Sequence, residues 1–157
     1  MPPETKFSVR RATLRDIDVL VSQRHRMFED IRHRSKRDHE TGDKAYRRWA
    51  LKKMKEGRLR CYVAEADGRI ISGGCVWLKE EQPGPGYPGG MIPYVMSMYT
   101  DPAFRRKGLA SMVLDAAVRD ARQHRYPWMT LHASRFGRKV YPGLGWKRSW
   151  EMYLELV

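Results

Sequence analysis

The sequence predicts an α/β fold of the α+β type: a mixed sheet flanked by helices, in the order β-αα-βββ-α-β-α-β. Three features carry that expectation. Short apolar runs of strand length alternate with longer stretches whose apolar residues recur at helical spacing. "LRCYVAEADGRIISGGCVWL" (59–78) sets Asp67-Gly68 between two strand-like runs, the strongest hairpin signal in the chain. Leu109, Met112, Val113, Ala116, Ala117 and Ala121 form one apolar stripe along a helix expected from about Lys107 to His124.

Taken in order, "FSVRRAT" (7–13) alternates weakly and reads as the first strand. "TLRD" (13–16) is a capping box with Asp in place of Glu, so Thr13 caps a first helix over roughly 14–34. Ile17, Leu20, Val21, Met27, Phe28 and Ile31 supply its apolar face. The polar "SKRDHETGD" (35–43) reads as a break. A second helix follows over roughly 43–56, with Tyr46, Trp49, Ala50 and Met54 on one face and Gly57 at its end. After the hairpin, "EEQPGPGYPGG" (80–90) is a loop that continues neither strand nor helix. "MIPYVMSMYT" (91–100) is a strand stopped by Asp101-Pro102. Beyond the stripe helix, "PWMTLHA" (127–133) reads as a strand, "SRFGRKVY" (134–141) as a short helix and "GWKRSWEMYLELV" (145–157) as a last strand. No internal repeat or linker interrupts the chain, so 1–157 is expected to be a single domain.

Composition narrows the class. Hydrophobic residues make up 41% and aromatic residues 11%, enough to build a core despite a formal charge of +13. The first 60 residues hold 18 lysines and arginines against 9 acids, and the last 57 hold 11 against 5. Such a balance favours anionic partners: a nucleic acid, an anionic membrane surface, an acidic protein or a polyphosphate cofactor. No stretch reaches the roughly 18–20 apolar residues of a membrane span. The N-terminus lacks the apolar core of a secretory signal, so a cytoplasmic location is expected and no membrane association. Cys61 and Cys75 sit in apolar runs and read as buried free thiols. The histidines have no ligand spacing, and no metal is expected.

"DPAFRRKGLAS" (101–111) sets Arg105, Arg106 and Lys107 and a glycine between a strand and a helix. A glycine loop opening a helix is an anion-binding device, because the first N–H groups have no internal partner and the helix dipole is positive there. Gly108 lets the backbone approach a phosphate closely. "RRKGLA" (105–110) fits the Arg/Gln-x-x-Gly-x-Gly/Ala motif and so resembles the GNAT superfamily of acyl-CoA-dependent N-acetyltransferases. "VMSMYTDPAF" looks like the fourth strand and turn of that family, and "SRFGRKVYPGLGW" (134–146) resembles its later signature. The element order matches over nearly the whole chain.

The resemblance implies a mostly antiparallel sheet and acetyl-CoA as co-substrate, with transfer to a primary amine by direct attack in a ternary complex. Arg105, Arg106, Lys107, Gly108, Leu109, Ala110 and Ser111 would then receive the pyrophosphate. Met98, Tyr99 and Thr100 would offer main-chain hydrogen bonds to the pantetheine arm, and a backbone N–H near Met98 would polarise the thioester carbonyl. Ser134 stands where many relatives carry an asparagine that bonds the cofactor. Tyr141 matches the tyrosine near the coenzyme sulfur and is expected to be the general acid, in contact with the cofactor.

Tyr94 occupies the strand position where histone-type relatives carry a glutamate. Tyr94, His132 and Glu151 are candidates for the base, which stays unassigned. The acceptor is a small-molecule or protein amine, and the cationic rim favours one that also carries anionic groups. Homodimers are common among relatives. The competing reading is a basic module that binds nucleic acid or an acidic protein, with a vestigial or sensory CoA site. Trp49 and Tyr46 among basic neighbours would then stack nucleobases.

Overall fold

The computed structural model describes residues 6–157. Its strands form where apolar, β-branched and aromatic residues cluster. β1 (Phe7–Arg11), β2 (Leu59–Ala66), β3 (Arg69–Glu81) and β4 (Gly90–Thr100) make an antiparallel meander, and β5 (Thr130–Leu131) lies parallel to β4 at its edge. The sheet is therefore mixed and mostly antiparallel. Asp67 and Gly68 both take left-handed conformations, as the tight hairpin between β2 and β3 requires.

Helices cover both faces. α3 (Leu109–Gln123) buries Leu109, Val113, Leu114 and Ala117 against Tyr62, Ala64, Ile71, Val76 and Val95 of the sheet. α1 (Ile17–Ile31) and α2 (Lys36–Lys55) cover the opposite face, where Ile17, Leu20, Tyr46 and Ala50 meet Cys61, Val63 and Cys75. Covered on both sides, β2 is buried along nearly its whole length. Cys61 and Cys75 are free, buried and directly opposite each other in the ladder. Among the described residues no helix is long and apolar enough to cross a membrane.

Four expectations are corrected. α1 starts at Ile17 after a 3-10 turn over Leu14–Asp16 and ends at Ile31, where the Arg32 N–H closes on the Phe28 carbonyl at 2.8 Å. The polar stretch 35–43 is not a break. Ser35 caps α2, its Oγ accepting from the Asp38 N–H at 3.1 Å, and the polar residues form the exposed first turns of that helix. The short helix of 134–141 is replaced by 3-10 turns over Gly137–Lys139 and Tyr141–Leu144; Gly137 weakens an α-helix within that span, and Pro142 opens the second turn. The final strand is absent: Trp150, Met152, Leu154 and Leu156 alternate but stay exposed. β5 is only two residues long and offers almost no ladder for them to extend.

The start of the fold is tied by charge. Arg10 on β1 reaches Asp16 at 2.9 Å and Glu65 on β2 at 2.8 Å. Hydrogen bonds from Arg10, with help from the Thr13 N–H, hold Asp16 at about 2 although burial opposes them. A carboxylate with a depressed pKa contributes stability above its ordinary value near 3.8, and loses it as pH falls toward 2. The Asp16→Asn variant should therefore melt lower than the parent at pH 6, and the difference should shrink in thermal scans run between pH 4 and 2.

Candidate active site

β4 ends where the Asp101 N–H donates to the Ile71 carbonyl at 2.8 Å. Asp101-Pro102 then opens a 3-10 turn over Pro102–Phe104. In the loop that follows, Arg106 and Gly108 both adopt left-handed backbone, with φ of 60° and 78°. The first helical bond of α3 runs from the Met112 N–H to the Gly108 carbonyl at 3.0 Å. The N–H groups of Leu109, Ala110 and Ser111 thus have no acceptor inside the helix and sit at its positive end. Space in front of Gly108 is open, with no heavy atom within 4 Å of where a Cβ would stand. A loop of this geometry can serve as an anion cradle.

The three cations divide. Arg105, though exposed, is held: its guanidinium bonds Asp30 of α1 at 2.8 Å and the Thr100 carbonyl at 3.0 Å, and lies 5.7 Å from the Tyr99 ring centroid. It braces the loop against α1. Arg106 and Lys107 are exposed beside the cradle.

β4 carries the second feature. Its register against β3 slips between Gly73 and Cys75, and Ser97 takes φ of 56°, so β4 bulges at Ser97-Met98. Gly74 allows this, because a Cβ there would collide with the Met98 sulfur. Past the bulge, Ser72 Oγ donates to the Tyr99 carbonyl at 2.9 Å and meets Thr100 Oγ1 at 2.8 Å. The carbonyls of Tyr99 and Thr100 therefore already accept bonds within the protein. On its other edge β4 pairs with β5 only at Tyr94–Thr130 and Val95–Leu131. Beyond that point the strands part, and a cavity of about 480 Å³ opens against α1.

Met98, Ser134 and Tyr141, three of the expected site residues, line that cavity together. Ser134 Oγ accepts from the Gly137 N–H at 3.2 Å, so it caps the turn that leads to Tyr141. The Tyr141 ring packs edge-on against Trp146, with centroids 5.9 Å apart, and Gly137 makes room for it. Burial pushes the Tyr141 phenol up, which keeps its proton in place at neutral pH. Arg105 to Ser111 form the separate cradle at the head of α3 and do not line the cavity.

Tyr94 and His132 line the same cavity, and Glu151 of the C-terminal segment stands behind His132. Tyr94 Oη lies 2.6 Å from His132 Nδ1, and His132 Nε2 lies 2.7 Å from Glu151 Oε2. A carboxylate only accepts, so His132 Nε2 carries the hydrogen, and in the neutral ring Nδ1 then accepts the Tyr94 O–H. Burial, joined by the Glu151 charge, pushes the Tyr94 phenol up. The chain phenol–imidazole–carboxylate can take a proton at Tyr94 while passing one to His132.

The aromatic residues weighed for base stacking are committed elsewhere. Tyr46 is buried, and Trp49 packs edge-on against Trp77 with centroids 5.3 Å apart. Neither cysteine lines the cavity, and the bond to Cys75 together with burial pushes the Cys61 thiol well up. Among the described residues no group of three or more His, Cys, Asp or Glu side chains could hold a metal ion. Sequence reasoning missed Arg24, which lines the cavity from α1; its signal was a cation one turn before Phe28 on the apolar face of that helix.

The model of the acetyltransferase (GNAT) family matches residues 24–142. Among solved structures, a GCN5-related N-acetyltransferase from Ralstonia eutropha superposes with a TM-score of 0.88 at 22% identity, over 96% of this chain and 99% of the other. A predicted acetyltransferase from Clostridium acetobutylicum, solved with acetyl-CoA, gives 0.84 at 29% identity, over 97% and 96%. An aminoglycoside N-acetyltransferase in complex with CoA gives 0.75 at 16% identity, over 99% and 97%. No curated protein matches the chain.

Proposed function

This chain belongs to the GNAT family of acetyltransferases, and from that premise we propose that it acetylates a primary amine by direct attack on acetyl-CoA within a ternary complex. The observation that carries the reading is the meeting of Met98, Ser134 and Tyr141 in a cavity opening where β4 and β5 part. A long, thin thioester with an anionic end suits these features. The cradle from Arg106 to Ser111 receives the pyrophosphate on backbone N–H groups, with Arg106 and Lys107 adding charge and Arg105 holding the loop in place. Met98 lines the cavity, and Met98, Tyr99 and Thr100 would offer main-chain hydrogen bonds to the pantetheine arm, although the carbonyls of Tyr99 and Thr100 already accept bonds within the protein. When bound, acetyl-CoA supplies an activated acetyl group.

The remaining chemistry belongs to side chains. Attack requires a neutral amine, and the departing sulfur leaves more easily as a thiol. The amine gives its proton to Tyr94 Oη while the Tyr94 proton moves to His132 Nδ1, and Glu151 stabilises the resulting imidazolium. Tyr141 donates its phenolic proton to the sulfur and is reprotonated from solvent. The backbone N–H near Met98, at the bulge, faces the charge that builds on the carbonyl oxygen.

Initial velocities with acetyl-CoA and an accepted amine should give intersecting lines. Incubation with acetyl-CoA alone should leave the mass of the protein unchanged. Parallel lines with an acetylated protein would overturn direct attack. Tyr94→Phe should cost about tenfold or more in kcat/KM at pH 7, with the deficit narrowing toward pH 9 as the amine loses its own proton unaided. A deficit independent of pH would remove Tyr94 from the proton path.

A further inference from the structure

The cavity holds a positive charge that acetyl transfer leaves unused. Arg24 projects from α1 between two aromatic rings, its guanidinium carbon 4.6 Å from the Phe28 centroid and 4.2 Å from that of Tyr46. Stacking of this kind fixes the plane of the group and leaves its N–H edge free to bind. Neighbouring charges are already paired: His25 with Asp43 at 2.6 Å, Arg26 with Asp101 at 3.1 Å, Arg47 with Asp18 at 3.0 Å and Arg105 with Asp30 at 2.8 Å. Among the described residues no carboxylate lies within ion-pair distance of Arg24. Arg32, just past the end of α1, adds a second guanidinium to the wall, and no residue lining the cavity is acidic.

A half-buried guanidinium without a carboxylate in contact is costly, and burial lowers the Arg24 pKa although the more distant Asp43, itself bonded to His25, opposes this. A ligand oxyanion removes the cost. It would receive two N–H donors from a rigid, planar fork. An acceptor with a second cation in place of the anion would meet two guanidiniums, the nearby carboxylate, Glu151, being engaged by His132.

We propose that the acceptor of this cavity is an amine that also carries an oxyanion, a carboxylate or a phosphate monoester, seated on Arg24, with Arg32 adding positive charge farther along the same wall. The proposal rests on the acetyl-transfer reading, since it takes the acceptor to occupy this cavity. The pyrophosphate cradle is elsewhere in the fold, so coenzyme and acceptor anions do not compete for Arg24.

The test uses the full chain saturated with CoA and four probes: O-phosphoethanolamine and ethanolamine, β-alanine and β-alaninamide. Calorimetry should show the oxyanion-bearing member of at least one pair binding about tenfold or more tighter than the partner that lacks the oxyanion, the strength expected of an ionic hydrogen-bonded pair. The pair that shows the preference identifies phosphate or carboxylate as the anion. Arg24→Gln should erase the preference and leave CoA affinity unchanged. Arg24→Lys, which keeps the charge and a long stem in the same packing, should retain part of it.

Equal binding within both pairs, no binding of either oxyanion-bearing amine, or a preference that survives in Arg24→Gln would overturn the proposal. Binding through Arg24 without acetylation of any probe counts against the transferase reading alone. Acetylation of the amines that lack an oxyanion as readily as those that carry one counts against the Arg24 anchor alone.

Discussion

Gly108→Glu is expected to abolish coenzyme binding in a protein that still folds. Gly108 holds φ of 78°, a conformation that costs a residue with a side chain about 1 kcal/mol, and no heavy atom stands within 4 Å of the new Cβ. The folding cost is thus small, and a carboxylate at the start of α3 is itself favourable to the helix dipole. The same positive end that attracts pyrophosphate would hold the introduced carboxylate in its place. Several ionic hydrogen bonds are lost together at about 1.5–3 kcal/mol each, so affinity should fall about 100-fold or more. Gly108→Ala separates the two causes: it pays the conformational cost without the charge and should weaken binding far less. A folded Gly108→Glu protein with unchanged CoA affinity would contradict the assignment of the cradle.

Tyr141→Phe is the second large effect, and it should be confined to turnover. The ring keeps its packing against Trp146 and the space left by Gly137, so CoA affinity should change little. Only the phenolic proton is lost. kcat should fall about 100-fold, near 2.7 kcal/mol of barrier, if that proton goes to the leaving sulfur. Because burial raises the phenol above its ordinary value of 10.0, the acid form persists through neutral pH, and loss of rate from its ionisation belongs above that range. An unchanged kcat would leave Tyr141 a packing aromatic.

What could be read in advance was local. The Asp67-Gly68 hairpin, the stripe of α3 and the Gly108 loop are each written in contiguous residues, and each is found where expected. Errors arose where a distant or subtle partner decides. Ser35 converts a polar stretch into the first turns of α2 through one cap, and Ser134 caps only a 3-10 turn where a short helix is expected. The alternation after Gly145 forms no strand because β5 gives it no ladder, which no property of that segment could foretell. The same logic holds in the site. Arg105 sits in the recognised motif, yet its side chain answers to Asp30 on another element. Tyr94, His132 and Glu151 were separate candidates until β4, β5 and the C-terminal segment brought them into one hydrogen-bonded chain.

The central claim is that the cradle and the parted strands hold acetyl-CoA. Calorimetric titration with acetyl-CoA at low and moderate salt, beside desulfo-CoA and a random DNA duplex, tests it most directly. Saturable micromolar binding of acetyl-CoA that survives moderate salt is the predicted result. No acetyl-CoA binding, with DNA binding that collapses as salt is added, would contradict the account and leave a basic binding module on an acetyltransferase fold.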